Sequence, residues 1–304
     1  MIINLEQITT KDGVTLEGLF FKPKKGNRTA AIWVSGLTGR FSNAPKRTYT
    51  LAESLNRRGI AFAVFDHRGL GTINTLKKGL GRKKKHFLAG TAFEKFEHSV
   101  FDIDAVIRFF EKRGYKKIFL LGHSTGANKI AYYYSKTGGR KIAGLGLLGP
   151  LSDIPGLKKG LGKNYKKAIR WAEDMAKKQK KSALLPFTLS GGKFWGAERF
   201  LSIAKEKRKE DTFPYYDPSR KFYWAKRVKC PILVLIGGKD QYADRPVKEN
   251  LRAFEEQIPG TYLTLRILGG ADHNFNGKEK ELAKELLNWI IKARLLPLPR
   301  KGVR

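Results

Sequence analysis

The sequence of 304 residues is long enough for one large α/β domain or two small ones with a sizeable core. A hydrophobic fraction of 41% and 19 phenylalanines indicate a folded globular chain and argue against a disordered one. The formal net charge of +34 would attract nucleic acid, anionic membrane surfaces or acidic substrates.

Strands and helices are predicted to alternate over the first half of the chain. A hairpin is expected over residues 2–9 and 14–21, with its turn at Lys11-Asp12-Gly13. The elements that follow are a strand over 30–34, a helix over 45–58, a strand over 60–65, a Gly- and Lys-rich connection over 67–92 with Lys83-Lys84-Lys85 exposed, a helix over 96–113, a strand over 118–121, a helix opening at 127 and a strand over 142–148.

This alternation stops over residues 151–227, where two or three lysine-rich helices are expected. It resumes with a strand over 232–236, a helix over 245–257, a strand over 262–268 and a helix over 278–293, before a frayed tail over 297–301. Repeated strand–helix units predict a mostly parallel central sheet with helices on both faces. Ligands of such sheets bind beyond the carboxyl ends of the strands.

One short motif lies at such a strand end. Gly122-His123-Ser124-Thr125-Gly126 matches Gly-x-Ser-x-Gly between an apolar strand and a helix. A serine on a sharp strand-to-helix turn holds its hydroxyl above the sheet, and the flanking glycines avoid a collision with the tightly turned chain. The alternative is a glycine-rich turn whose serine only caps the helix. The strand and helix context favours Ser124 as a nucleophile.

A serine hydroxyl needs an adjacent base that is oriented by a third group. The histidines of the chain are His67, His86, His98, His123 and His273. His273 follows the last strand, where a loop can place its ring over Ser124, so we expect it to be the base. Asp240 follows the penultimate strand and is favoured as the orienting carboxylate over Asp244, which is suited to starting a helix. Asp272 is expected to point away from His273.

An oxyanion of a tetrahedral intermediate needs hydrogen-bond donors. The backbone N–H of Thr125, directly after the predicted nucleophile, would supply one. The second is expected from the N–H of Leu37 in the loop Ser35-Gly36-Leu37-Thr38-Gly39, after the strand over 30–34. A plain βα turn is the alternative interpretation of that loop.

These residues resemble an α/β-hydrolase-fold serine hydrolase over about residues 14–150 and 228–293. The order Ser124, Asp240, His273 matches that superfamily, and Asp66-His67-Arg68-Gly69-Leu70-Gly71 is similar to its Asp-x-Arg-Gly-x-Gly segment. Ser35 stands where many relatives have histidine. Within the superfamily the chain is most similar to bacterial carboxylesterases of the feruloyl- or cinnamoyl-esterase kind, and more weakly to siderophore-ester hydrolases.

The resemblance implies a division of the chain. Residues 1–150 and 228–304 would form the hydrolase core, and 151–227 would form a cap or lid. Eight aromatic residues of this insertion either line an acyl or aryl pocket or pack the cap onto the sheet. They are Trp171, Phe187, Phe194, Trp195, Phe200, Tyr215, Tyr216 and Trp224.

The function that the resemblance implies is cleavage of carboxylic esters through an acyl-enzyme on Ser124. The substrate would be a small ester, with anionic, aromatic or short-chain groups as candidates. An acyltransferase, thioesterase or peptidase would use the same triad, and a basic polyanion-binding protein with an incidental hydrolase core is a further alternative. No dinucleotide fingerprint, metal-ligand cluster or nucleic-acid motif occurs, so we expect no cofactor, no metal and no specific nucleic-acid partner.

The composition also predicts the cellular setting. No signal peptide and no apolar run long enough to span a bilayer are visible in the sequence, so we expect no transmembrane segment. The single cysteine, Cys230, excludes an internal disulfide framework and fits a reducing cytoplasm. We expect its thiol to be buried and inert.

Overall fold

An eight-stranded sheet lies at the centre of the chain. In the computed structural model, which describes residues 1–79 and 83–296, the strands are Ile2–Thr9 (β1), Thr15–Lys22 (β2), Thr29–Val34 (β3), Ile60–Phe65 (β4), Lys117–His123 (β7), Ile142–Leu148 (β8), Ile232–Gly237 (β9) and Leu263–Leu268 (β10), and a separate hairpin contains Asn74–Lys78 (β5) and Lys85–Ala89 (β6). The tail expected over 297–301 lies outside the described residues.

The sheet order is β1-β2-β4-β3-β7-β8-β9-β10. The pairs β1·β2 and β2·β4 are antiparallel, and the five pairs from β4 to β10 are parallel. Every residue of β3, β4 and β8 is buried, as expected for continuous apolar strands covered on both faces. The predicted fold class, a mostly parallel sheet with helices on both faces, is confirmed.

Eight α-helices lie within the described residues. They are Pro45–Asn56 (α1), Ser99–Lys112 (α2), Thr125–Thr137 (α3), Asp153–Leu161 (α4), Asn164–Lys177 (α5), Ala197–Ala204 (α6), Val247–Glu255 (α7) and Glu279–Ala293 (α8). Apolar residues of α2, α3 and α7 pack into one core, and those of α1 and α8 pack into the core on the opposite face. Within the described ranges no helix is long and apolar enough to cross a membrane.

The connection predicted over 67–92 contains more structure than the sequence indicated. The hairpin of β5 and β6 lies within it, and Leu76 and Phe87 pack against the core. Its strands are rich in lysine and show little of the apolar–polar alternation that predicts strands. The hairpin is stabilised instead by backbone pairing and by the contacts of Leu76 and Phe87. Lys83, Lys84 and Lys85 are exposed, as predicted.

The segment between β8 and β9 contains α4, α5 and α6. These helices form an apolar cluster of their own, centred on residues such as Ala168, Trp195 and Phe200. Leu37, from the loop after β3, packs against this cluster. The inserted segment therefore has its own small core, which contacts the carboxyl edge of the sheet.

Candidate active site

Ser124 lies on a sharp turn between β7 and α3. Its backbone has φ +56° and ψ −130°, a conformation that side-chain-bearing residues rarely adopt. A Cβ on Gly122 would lie 2.4 Å from Gly126 O, and a Cβ on Gly126 would lie 2.0 Å from Val34 O. Both glycines are therefore required by close backbone approach, and the turn presents Ser124 to the pocket at the edge of the sheet.

The loop after β3 contacts Ser124. A Cβ on Gly36 would lie 3.2 Å from Ser124 Oγ, so this glycine lets the loop approach the hydroxyl. Leu37 and Thr125, the two predicted oxyanion-hole residues, line the same pocket. Thr125 is the first residue of α3, so its N–H has no acceptor within the helix and is free to bind a ligand oxygen.

Asp240 and His273 form a buried hydrogen-bonded pair. Asp240 follows β9, His273 follows β10, and His273 Nδ1 lies 2.7 Å from Asp240 Oδ2. The two residues are 7% and 4% exposed. Because the carboxylate accepts a hydrogen bond from Nδ1–H, the lone pair of Nε2 is left to accept a proton. Gly149 makes room for the pair, since a Cβ there would lie 3.1 Å from the imidazole ring.

The other two aspartates near this edge have different partners. Asp244 pairs with Arg245 at 2.9 Å, and Asp272 accepts a hydrogen bond from Asn276. In the part of the chain that the structure describes, Ser124 Oγ makes no hydrogen bond to His273, and the two side chains share the pocket wall. Such bonds are often long without substrate and tighten when it binds.

The pocket has a volume of about 1000 Å³. The core contributes Ser124, His273 and the loop after β3 to its wall, and the inserted segment contributes residues of α4 and the stretch 190–195. Of the eight aromatic residues singled out in the insertion, Phe194 and Trp195 line the pocket, whereas Phe200 and Trp224 are fully buried in apolar cores.

Comparison with known proteins shows the family. A family model described as a protein of unknown function (DUF1749) matches residues 90–294, more than half of the chain. The chain belongs to this family. The matched residues include the Ser124 turn, Asp240 and His273, whereas the loop after β3 lies before them. No curated protein matches the sequence.

Solved structures similar to this DUF1749 protein have the α/β-hydrolase fold. Est1E from Butyrivibrio proteoclasticus, with bound ferulic acid, is 17% identical with a TM-score of 0.65, over 95% of this chain and 99% of Est1E. An esterase from Pyrococcus furiosus is 16% identical with a TM-score of 0.57, over 96% and 91% of the two chains. An α/β serine hydrolase without lid from Xanthomonas campestris is 15% identical with a TM-score of 0.57, over 98% and 96%. The DUF1749 chain therefore has the fold that its sequence resembles.

Two residues that support the site were not predicted from the sequence. The first is His123, which directly precedes Ser124 in the chain. Its Nε2 lies 2.8 Å from His273 O, and because a carbonyl only accepts, Nε2 must carry the proton. Burial holds the pKa of His123 well below its usual value, with Arg47 and His273 adding to the effect, so the ring stays neutral. His123 thus fixes the backbone of His273.

The second is Thr91, which holds the loop after β3. Thr38 N donates to Thr91 Oγ1 at 2.7 Å, and this hydroxyl donates to Gly69 O at 2.9 Å. Thr38 has a φ of +58°, so its loop adopts a conformation that depends on such contacts. No motif contains Thr91, and its partner is 53 residues away in the chain. Nothing in the sequence therefore pointed to it.

A buried ionic network lies behind Thr91. Arg199, on α6, donates to Thr91 O at 3.2 Å and pairs with Glu210. Glu94 pairs with Lys129 Nζ at 2.6 Å, and all four charged side chains are almost fully buried. Removal of one partner would leave an uncompensated buried charge, which is strongly destabilising. The network therefore ties the inserted segment to the core close to the loop after β3.

Cys230 is buried, and burial raises the pKa of its thiol to about 12. It therefore stays a neutral thiol, as the sequence predicted.

Proposed function

We propose that this DUF1749 protein is a serine hydrolase that cleaves carboxylic esters. The strongest support is the 2.7 Å hydrogen bond between His273 and Asp240, at a pocket that also exposes Ser124 on its strained turn. The fold shared with esterases of known structure is consistent with this chemistry.

The acylation step follows from the roles of the pocket residues. Ser124 Oγ attacks the ester carbonyl carbon while His273 Nε2 takes the hydroxyl proton. Asp240 stabilises the imidazolium that forms. The N–H groups of Leu37 and Thr125 donate to the oxyanion of the tetrahedral intermediate. Collapse of this intermediate breaks the bond to the alcohol oxygen, which receives the proton from His273, and leaves an acyl group on Ser124.

Deacylation reverses these roles. His273 takes a proton from water, the hydroxide attacks the acyl carbonyl, and Ser124 leaves with that proton to regenerate the hydroxyl. Water supplies the hydroxyl group of the released acid. Apart from this water, all groups used in the cycle belong to this chain or to the substrate.

We further propose that residues 151–227 act as a cap that selects the acyl or aryl group. Leu157, Phe194 and Trp195 line the pocket from this segment and offer apolar and aromatic contacts. The ferulic acid bound to Est1E, which has a similar fold, supports aryl esters as one substrate class. Short-chain acyl esters are the other class to be tested.

The test is turnover of a panel of 4-nitrophenyl esters with acetyl, octanoyl and feruloyl groups. The wild type should hydrolyse at least one, and Ser124→Ala should lose activity by a factor of about 10⁴ or more. Ser135→Ala is a matched control on the same helix, because that hydroxyl only donates to Tyr132 O. If Ser124→Ala keeps full activity, the mechanism is wrong.

A further inference from the structure

The pocket wall carries more positively charged than negatively charged side chains. Arg40, Arg47 and Lys193 belong to the pocket wall, and Asp153 is the only carboxylate there among the described residues. A surplus of cations alone carries little information in a chain with 61 Lys and Arg against 27 Asp and Glu. The environment of Arg47 provides the more specific signal.

Arg47 is half-buried and held in place. Its guanidinium lies 4.5 Å from the centre of the Trp33 ring, and Nη1 donates to Asn274 O at 3.1 Å. Among the described residues it forms no salt bridge, whereas its neighbour Lys46 pairs with Glu279 at 3.3 Å. Burial lowers the pKa of Arg47 to about 10, and the nearby carboxylates of Glu279 and Asp272, neither of which pairs with it directly, offset this loss of hydration only in part.

A guanidinium in this environment is suited to bind an anionic oxygen group of a ligand, such as a carboxylate or a phosphate. Its remaining N–H donors form a planar fork that matches a carboxylate or phosphate, and its position over the Trp33 ring and its hydrogen bond to Asn274 O restrain the guanidinium. Asn274 is next to His273, so the fork lies beside the predicted base. Arg40 and Lys193 add favourable charge at the rim of the same pocket.

We infer that the pocket binds esters that carry a second, anionic oxygen group, a carboxylate or a phosphate, and that Arg47 recognises this group. This inference rests on the proposed function, and it narrows the substrate class from esters in general to anionic esters.

The experiment compares kcat/KM for 4-nitrophenyl hydrogen adipate with that for the neutral 4-nitrophenyl methyl adipate. We expect a preference for the anionic ester of about tenfold or more, which falls as NaCl is raised. A third ester with a terminal phosphonate in place of the carboxylate distinguishes phosphate from carboxylate recognition.

The variants separate two roles of Arg47, recognition of the anionic group of the substrate and support of the loop that contains Asn274. Arg47→Met should remove most of the preference, and Arg47→Lys should keep part of it because it retains the charge but not the fork. Lys46→Met is the control and should leave the ratio unchanged. Since Arg47 also holds Asn274 O, Arg47→Met will slow both esters, and only the ratio between them reports recognition.

Equal kcat/KM for the charged and neutral esters in the wild type, or an unchanged ratio in Arg47→Met, would overturn the inference while leaving the proposed hydrolase function intact. If neither ester is hydrolysed, the proposed function is in doubt, and binding decides the inference separately. Calorimetric titration of Ser124→Ala should then show tighter binding of the hydrogen adipate than of the methyl adipate. Equal or weaker binding of the charged ester refutes it.

Discussion

Thr91 provides a sharp test of how the loop after β3 supports the chemistry. In Thr91→Val the side-chain shape is kept but the hydroxyl is lost. Thr38 N then loses its 2.7 Å acceptor, and Gly69 O loses its 2.9 Å donor. Each neutral hydrogen bond contributes about 0.5–1.5 kcal/mol net, so the two together stabilise the loop by about 1–3 kcal/mol.

If this free energy holds the Leu37 N–H in position, its loss raises the free energy of the transition state more than that of the bound substrate. At 1.36 kcal/mol per factor of ten, kcat should drop by about 5- to 160-fold, with a much smaller change in KM. Thr91→Ser keeps the hydroxyl and should keep kcat within a factor of about three. The assay is steady-state hydrolysis of the best 4-nitrophenyl ester, with the melting temperature measured to confirm folding.

Two results would refute this reasoning. The first is a Thr91→Val enzyme with unchanged kcat, since the loop would then not need the hydroxyl. The second is an equal loss in Thr91→Val and Thr91→Ser, which would indicate a packing effect.

Three further predictions concern the triad, the pocket carboxylate and the turn. Asp240→Asn removes the carboxylate acceptor that fixes the ring of His273, so kcat should fall by about 10³–10⁴-fold in the ester assay while the circular dichroism spectrum stays unchanged. An Asp240→Asn variant as active as the wild type would contradict this role. Burial and the nearby Glu210 raise the pKa of Asp153 to about 7. Because the folded state disfavours the charged form of Asp153, the contribution of this residue to the free energy of unfolding should fall as pH rises from about 4 through 7. Asp153→Asn should therefore gain about 1–2 kcal/mol relative to wild type at pH 8.5 but little at pH 4, as measured by denaturant titration, and an equal gain at both pH values would contradict this prediction. Gly122→Ala would place a Cβ 2.4 Å from Gly126 O and should lower the free energy of unfolding by more than about 3 kcal/mol, whereas an unchanged denaturation midpoint would contradict the close approach.

The sequence predicted those parts of the fold that consist of continuous apolar segments. The fully buried strands β3 and β4 are continuous apolar segments, and their type and order follow from that pattern. The hairpin β5–β6 was missed because its strands carry lysine where the pattern needs apolar residues. A backbone pairing of this kind leaves little trace in composition.

The site could be predicted where chemistry demands a residue type. A serine, a carboxylate and a histidine at strand ends are required for acyl transfer, so Ser124, Asp240 and His273 could be proposed from the sequence. Their supporting contacts could not, because they join residues far apart in the chain. His123 and His273 are 150 positions apart, and Arg47 and Asn274 are 227 apart. Only the folded chain brings such partners together.

Covalent labelling of Ser124 by a fluorophosphonate probe tests the central claim most directly. We predict one label per folded wild-type chain, located on Ser124 by peptide mapping. Labelling should be absent in Ser124→Ala, retained in Ser135→Ala and much slower in Asp240→Asn, because the base must be oriented to activate the hydroxyl. A folded wild-type protein that takes up no label, or takes it up equally in Ser124→Ala, would contradict the assignment of Ser124 as the nucleophile.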